Sequence, residues 1–190
     1  MQDKTFNIII SGVGGQGVIT LLSLIDEAAF IEGYDIKSSE LHGLSQRGGS
    51  VLAHIRFGKK VYSPLVERGQ ADLIIGLELL ESLRALSFGN KNTKALINKY
   101  SLPIINGLPA GDIVKKLKEI GEENLHLISA SEICKEKLQN EVVSTIYLLG
   151  YAVSKKLIPI KKESVIKAIE NIVPEKYRQL NIKAFQLAHD

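Results

Sequence analysis

The sequence predicts a Rossmann-like, three-layer α/β domain with a mainly parallel but mixed sheet. Three observations carry that reading. First, the apolar residues 6–10 read as a buried strand. The turn Ser11-Gly12-Val13-Gly14-Gly15-Gln16-Gly17 follows, and then a helix with Val18, Leu21, Leu22, Ile25, Ala28 and Ala29 on one face. Second, later apolar runs of strand length alternate with amphipathic segments of helix length. Third, the last strand-like run, residues 125–128, lies well before the end, so the C-terminal third reads as helical cover.

Gly12, Gly14 and Gly17 fit the spacing G-x-G-x-x-G between a strand and a helix. Such a turn needs positive φ and a close backbone approach, which glycine supplies cheaply. The helix start behind it presents free N–H groups to an anion. Gly15 and Gln16 complete the loop, which either contacts a phosphate or nucleotide or serves only to pack helix on strand. Gly33 suits the residue just past the first helix. Residues 35–38 read as a second strand. Glu40 follows near the place where a Rossmann carboxylate holds a ribose, although it also suits a loop carboxylate with another partner.

Residues 39–50 form a polar, glycine-rich loop, longer than a simple connection needs. Ser45, Gln46, Arg47, Gly48 and Gly49 make its core. The Arg47 fork suits a phosphate or carboxylate, or an ion pair with Glu40 that orders the loop. His42 is either an acid/base group or a hydrogen-bonding bystander. Val51, Ala53, Ile55 and Phe57 then alternate with Leu52, His54 and Arg56, which is strand period. Gly58-Lys59-Lys60 reads as a hairpin turn that returns through Val61 and Tyr62, and this hairpin is the reason to expect a mixed sheet.

Residues 71–78 read as a buried strand ending in Glu78, which either belongs to a site or caps the helix over 79–86. Short strands are expected at 95–97 and 102–105. Helices are expected over 109–120, 140–156 and 162–172, with another starting at Pro174. Val142, Val143, Ile146, Leu149, Gly150 and Val153 line one face of the helix over 140–156.

Composition limits the functions. With 190 residues and 45% hydrophobic content, the chain suits one globular domain spanning 1–190. A net charge of +3 is too mild for a nucleic-acid binder, and the lysine pairs are scattered. Cys134 is the only cysteine, so neither an internal disulfide nor a cysteine-held cluster is available; an inert, packed thiol is expected. No signal peptide, membrane-spanning stretch, metal-ligand spacing or Ser–His–Asp arrangement is legible, which suggests a cytoplasmic protein.

The two glycine loops, together with Ala71-Asp72 and Glu78-Leu79-Leu80-Glu81-Ser82-Leu83-Arg84, occur in an order that resembles the gamma-type subunit or domain of 2-oxoacid:ferredoxin oxidoreductases, the indolepyruvate branch most of all. The match is strong over residues 6–84. Asn140 ahead of Leu148-Leu149-Gly150, and Asn181 with Ala184-Phe185, extend it weakly. The resemblance implies a non-catalytic subunit of a complex that decarboxylates a 2-oxoacid oxidatively to an acyl-CoA. Thiamine diphosphate and [4Fe-4S] clusters would sit on a large alpha subunit, coenzyme A would be the co-substrate, and ferredoxin would take the electrons. It makes Gly12 to Gly17 and Ser45 to Gly49 candidates for the partner interface or the coenzyme A side of the active site. An isolated subunit would be inactive and prone to self-association. The competing reading is an autonomous NAD(P)- or nucleotide-binding enzyme. Glu40, later than a ribose-binding carboxylate should be, and the hairpin count against it.

Overall fold

The computed structural model describes residues 4–43, 48–103 and 107–189. The strands are β1 (Phe6–Val13), β2 (Asp35–His42), β3 (Ser50–Gly58), β4 (Leu73–Gly76), β5 (Lys94–Asn98) and β6 (Leu125–Ile128). The helices are α1 (Val18–Ile31), α2 (Leu79–Ala85), α3 (Ala110–Lys118), α4 (Ala130–Leu138), α5 (Ser144–Ser154), α6 (Lys162–Ile172) and α7 (Glu175–Leu187). The strands form one sheet in the order β2-β3-β1-β4-β5-β6. The β1–β4, β4–β5 and β5–β6 pairs are parallel, and β3 is antiparallel to both β1 and β2.

The central strands are buried on both faces, which explains their unbroken apolar runs. Ile8, Ile10, Leu73, Ile75 and Leu96 point into the larger core, beneath α1 and α4 to α7. Ile9, Ile74, Ala95 and Ile97 point to the other face, where α2, α3 and residues 59–72 cover the sheet. The three-layer, mixed α/β architecture therefore stands as the sequence predicts it.

The hairpin lies elsewhere than expected. Residues 58–60 do not turn β3 back on itself. The hairpin is β2–β3, with Ser38 opposite Ile55 and Leu41 opposite Leu52; residues 39–42 of the expected polar loop belong to β2 and Ser50 begins β3. The reason is steric. β1 and β2 occupy both edges of β3, so no free ladder remains for a return strand. Residues 59–72 instead run as an irregular strap. Asp35 Oδ2 accepts from the Val61 N–H at 2.8 Å, and His54 Nδ1 accepts from the Val66 N–H at 3.1 Å. Arg56 donates to the carbonyls of Ser63 and Leu65.

Of the strand expected at 102–105, residues 102 and 103 are not in a strand, and 104 and 105 lie outside the described residues. At α5, Asn140 Oδ1 accepts from the Val142 N–H at 3.0 Å and caps a single 3-10 turn, so the α-helix starts only at Ser144. Val142 thereby leaves the apolar face and stands 80% exposed.

Asp26 of α1 faces β2. Its Oδ2 accepts from the Ser38 hydroxyl at 2.6 Å, while its Oδ1 is buried without a partner. Burial raises its pKa above 3.8, opposed in part by the Ser38 bond. The folded state therefore binds this proton more tightly than the unfolded chain. The resulting stabilisation is complete below 3.8 and is lost as the pH rises through the raised folded value. Asp26→Asn is expected to lift the denaturation midpoint near neutral pH and to leave it almost unchanged in acid. Urea titrations across that range test this.

Candidate functional site

β1 ends where both loops meet. The Gly14 N–H donates to the Gly49 carbonyl at 2.8 Å, and the Gly48 N–H donates to the Gly14 carbonyl at 3.3 Å. The antiparallel β1–β3 ladder thus continues into backbone bonds between the two glycine motifs. Ser45, Gln46 and Arg47 lie outside the described residues.

Gly12, Gly15 and Gly17 each have a geometric reason. A Cβ on Gly12 would stand 2.9 Å from Gln16 Oε1 and 3.1 Å from both Leu77 Cβ and Val18 Cγ2. Gly15 and Gly17 have φ of 100° and 84°, a conformation that side chains disfavour. Gln16 folds back so that its Oε1 accepts from the Val13 N–H at 2.9 Å. Gly17 precedes α1 with no side-chain cap.

The loop forms one wall of a cleft of about 810 Å³. Leu77 and Asn98 contribute the C-terminal ends of β4 and β5, the usual ligand side of an open α/β sheet. The first turns of α1, α4, α5 and α7 also line it, through Ile19 and Thr20, Ser131, Ser144 and Thr145, and Tyr177. Asn98 donates to Ser131 Oγ at 2.8 Å and holds α4 in place. Among the described lining residues, Glu141 is the only charged one. Any attraction for an anion there rests on the starts of α1, α4, α5 and α7, each equivalent to roughly half a positive charge, and not on lysine or arginine. The rim is apolar: Ile19, Val142, Ile172 and Tyr177 are all substantially exposed. Helix starts can meet an anionic group, and the exposed apolar side chains offer a second, apolar contact.

The other sequence candidates divide. Glu78 is 2% exposed and caps α2, its Oε2 accepting from the Glu81 N–H at 2.9 Å. Glu81, unremarked on its own in the sequence, accepts from Ser50 Oγ and from Arg84, both at 2.6 Å, and so ties α2 to the start of β3. Glu40 is exposed on β2, and β3 lies between that strand and β1. It is not a ribose carboxylate beside the glycine loop, because the Rossmann reading needs β2 next to β1. His42 is exposed, with its ring Nδ1 3.3 Å from the Gly43 carbonyl. Asn140 and Asn181 both line the cleft. Asn98 and Thr145 carried no sequence signal beyond polarity at the end of an apolar run.

Cys134 is fully buried in α4, and burial pushes its thiol up to about 11. Among the described residues no group of three or more His, Cys, Asp or Glu side chains is placed to hold a metal. The donor set of this chain does not fit an iron–sulfur cluster. No helix among the described residues is long and apolar enough to cross a membrane.

A Rossmann-like subunit with an anion-suited cleft, stitched to a second glycine loop, is the class that fold and site define. The chain matches the model of the pyruvate ferredoxin/flavodoxin oxidoreductase family over residues 7–190, and it belongs to that family. It is 35% identical over 190 residues to the indolepyruvate oxidoreductase subunit IorB of Pyrococcus horikoshii, covering 97% of this chain and 94% of that one. Its fold is that of the keto/oxoacid ferredoxin oxidoreductase gamma subunit of Geobacter sulfurreducens, with a TM-score of 0.72 at 24% identity over 97% of this chain and 96% of that one. A 2-oxoglutarate:ferredoxin oxidoreductase of Magnetococcus marinus, solved with 2-oxoglutarate, coenzyme A and succinyl-CoA bound, shares the fold. The TM-score is 0.74 at 17% identity, over 98% of this chain and 31% of that one.

Proposed function

We propose that this chain is the non-catalytic gamma-type subunit of a cytoplasmic indolepyruvate or arylpyruvate:ferredoxin oxidoreductase, and that it acts as one domain over its whole length. Its partner is a large alpha subunit that carries the thiamine diphosphate and the [4Fe-4S] clusters. The complex converts a 2-oxoacid and coenzyme A to an acyl-CoA and carbon dioxide, passing two electrons to ferredoxin. The 35% identity to an indolepyruvate oxidoreductase subunit over nearly the whole chain carries this reading. The single, buried cysteine supports placing the clusters on the partner.

Coenzyme A meets this subunit at the cleft, with a phosphate on the helix starts around Gly15 to Thr20. The lining supports this through four helix starts, the neutral side chains of Thr20, Ser131, Ser144 and Thr145, and exposed apolar side chains. Gly12, Gly14 and Gln16 shape that wall, while Gly48 and Gly49 hold it from behind. Contact with the large subunit or the coenzyme is the role proposed for Ser45, Gln46 and Arg47. Glu40, His42 and Glu78 lie outside the ligand contacts.

Arg47→Lys tests the loop's share. Lysine keeps the charge but loses the two-pronged geometry. The variant is expected to weaken assembly or coenzyme A affinity at least tenfold while the isolated subunit keeps its melting temperature. Gel filtration with the large subunit and the coenzyme A dependence of turnover read both. Wild-type assembly and wild-type coenzyme A dependence together would refute the assignment.

A further inference from the structure

The geometry points to Thr145 as a positioning residue of the glycine-loop site, a role that rests on the functional reading above. Thr145 lies in the first turn of α5, is 4% exposed, and donates its hydroxyl to the Gln16 carbonyl at 2.9 Å, across 129 residues of sequence. Both residues line the cleft, so the bond lies in its wall.

The bond does two things. It fixes Gln16 between two left-handed glycines, a segment with no side-chain cap of its own. Gln16 is then held at both ends, since its side chain already accepts from the Val13 N–H. The bond also takes up a carbonyl oxygen beside the free N–H groups of α1. A bare carbonyl there would repel an anion, and a buried unpaired one carries a desolvation cost. Thr145 sits close behind the loop, since a Cβ on Gly17 would lie 3.5 Å from its Oγ1. The helical C-terminal third thereby sets the conformation of the N-terminal loop.

Two variants separate positioning from stability. Thr145→Val keeps the shape and removes the hydroxyl, whereas Thr145→Ser keeps the hydroxyl. In the ligand-free full chain, Thr145→Val is expected to speed amide exchange of residues 14–20 at least tenfold with other regions unchanged. In the complex with the large subunit, calorimetry with coenzyme A is expected to show about tenfold weaker binding, as loss of one hydrogen bond in a polar site implies. Thr145→Ser should restore both. Wild-type exchange and affinity in Thr145→Val overturn the proposal, as does faster exchange spread evenly over the molecule, the mark of a merely structural role. A wild-type complex that fails to bind coenzyme A overturns the functional reading and the ligand half of this role. The exchange measurement then decides the loop half by itself.

Discussion

Gly150→Ala is expected to destabilise the isolated chain by about 3 kcal/mol, the upper end of what an extra methyl in a packed core costs. Gly150 lies where α5 crosses α7. A Cβ there would stand 2.3 Å from the Phe185 carbonyl oxygen and 3.0 Å from Ala188 Cβ. The obstacle is backbone, so no rotamer change relieves it, and α5 must move away from α7. Phe185 and Ala184, both fully buried, would lose packing with it. The first turns of both helices line the cleft, so the damage reaches Thr145 and Tyr177. Gly111 is the control. It lies in α3, and a Cβ there meets nothing within 4 Å. Gly111→Ala is expected to stabilise by about 0.5–1 kcal/mol through helix propensity and the unfolded state. Urea unfolding of both variants checks the contrast, and equal effects would contradict the packing assigned here.

Gly12→Ala is expected to be the most damaging single change to function. Its Cβ meets Gln16 Oε1, Leu77 and Val18 at 2.9–3.1 Å, on three sides. Of the three, the Gln16 amide moves most readily, and its departure leaves the Val13 N–H without the bond it now makes. Stability is expected to fall by about 1–3 kcal/mol. Coenzyme A-dependent turnover of the reconstituted complex is expected to fall at least tenfold, because the wall proposed to receive coenzyme A is rebuilt. A variant with the wild-type KM for coenzyme A and the wild-type turnover would remove the glycine loop from the site.

Much of this was legible in the sequence because it is local. β1, the glycine turn and α1 are fixed by apolar periodicity and by the positive φ that Gly15 and Gly17 must adopt. Gly33 ends α1 as its type suggests, with φ of 80°. Glu78 was open to two readings, and burial beside the Glu81 N–H decides for the cap. What failed is what depends on distant partners. Nothing in residues 50–62 tells β3 that both its edges belong to β1 and β2, so Gly58 looked like a hairpin turn. Val142 fits an apolar helical face, but Asn140 caps the turn beneath it and rotates it outward. The cleft itself was invisible, since Thr145 and Gln16 lie 129 residues apart and neither carries a charge. The helix starts that line it are backbone features, which no count of lysines and arginines reveals.

As a subunit, this chain is expected to complete an oxidoreductase without performing the chemistry. The most direct test titrates it into a fixed amount of the purified large subunit, with arylpyruvate, coenzyme A and a viologen dye as acceptor. The expected result is little coenzyme A-dependent reduction by either subunit alone, and activity that rises with added chain and saturates at a fixed ratio. Full activity of the large subunit alone, or dye reduction by this chain alone with a pyridine nucleotide, would contradict it.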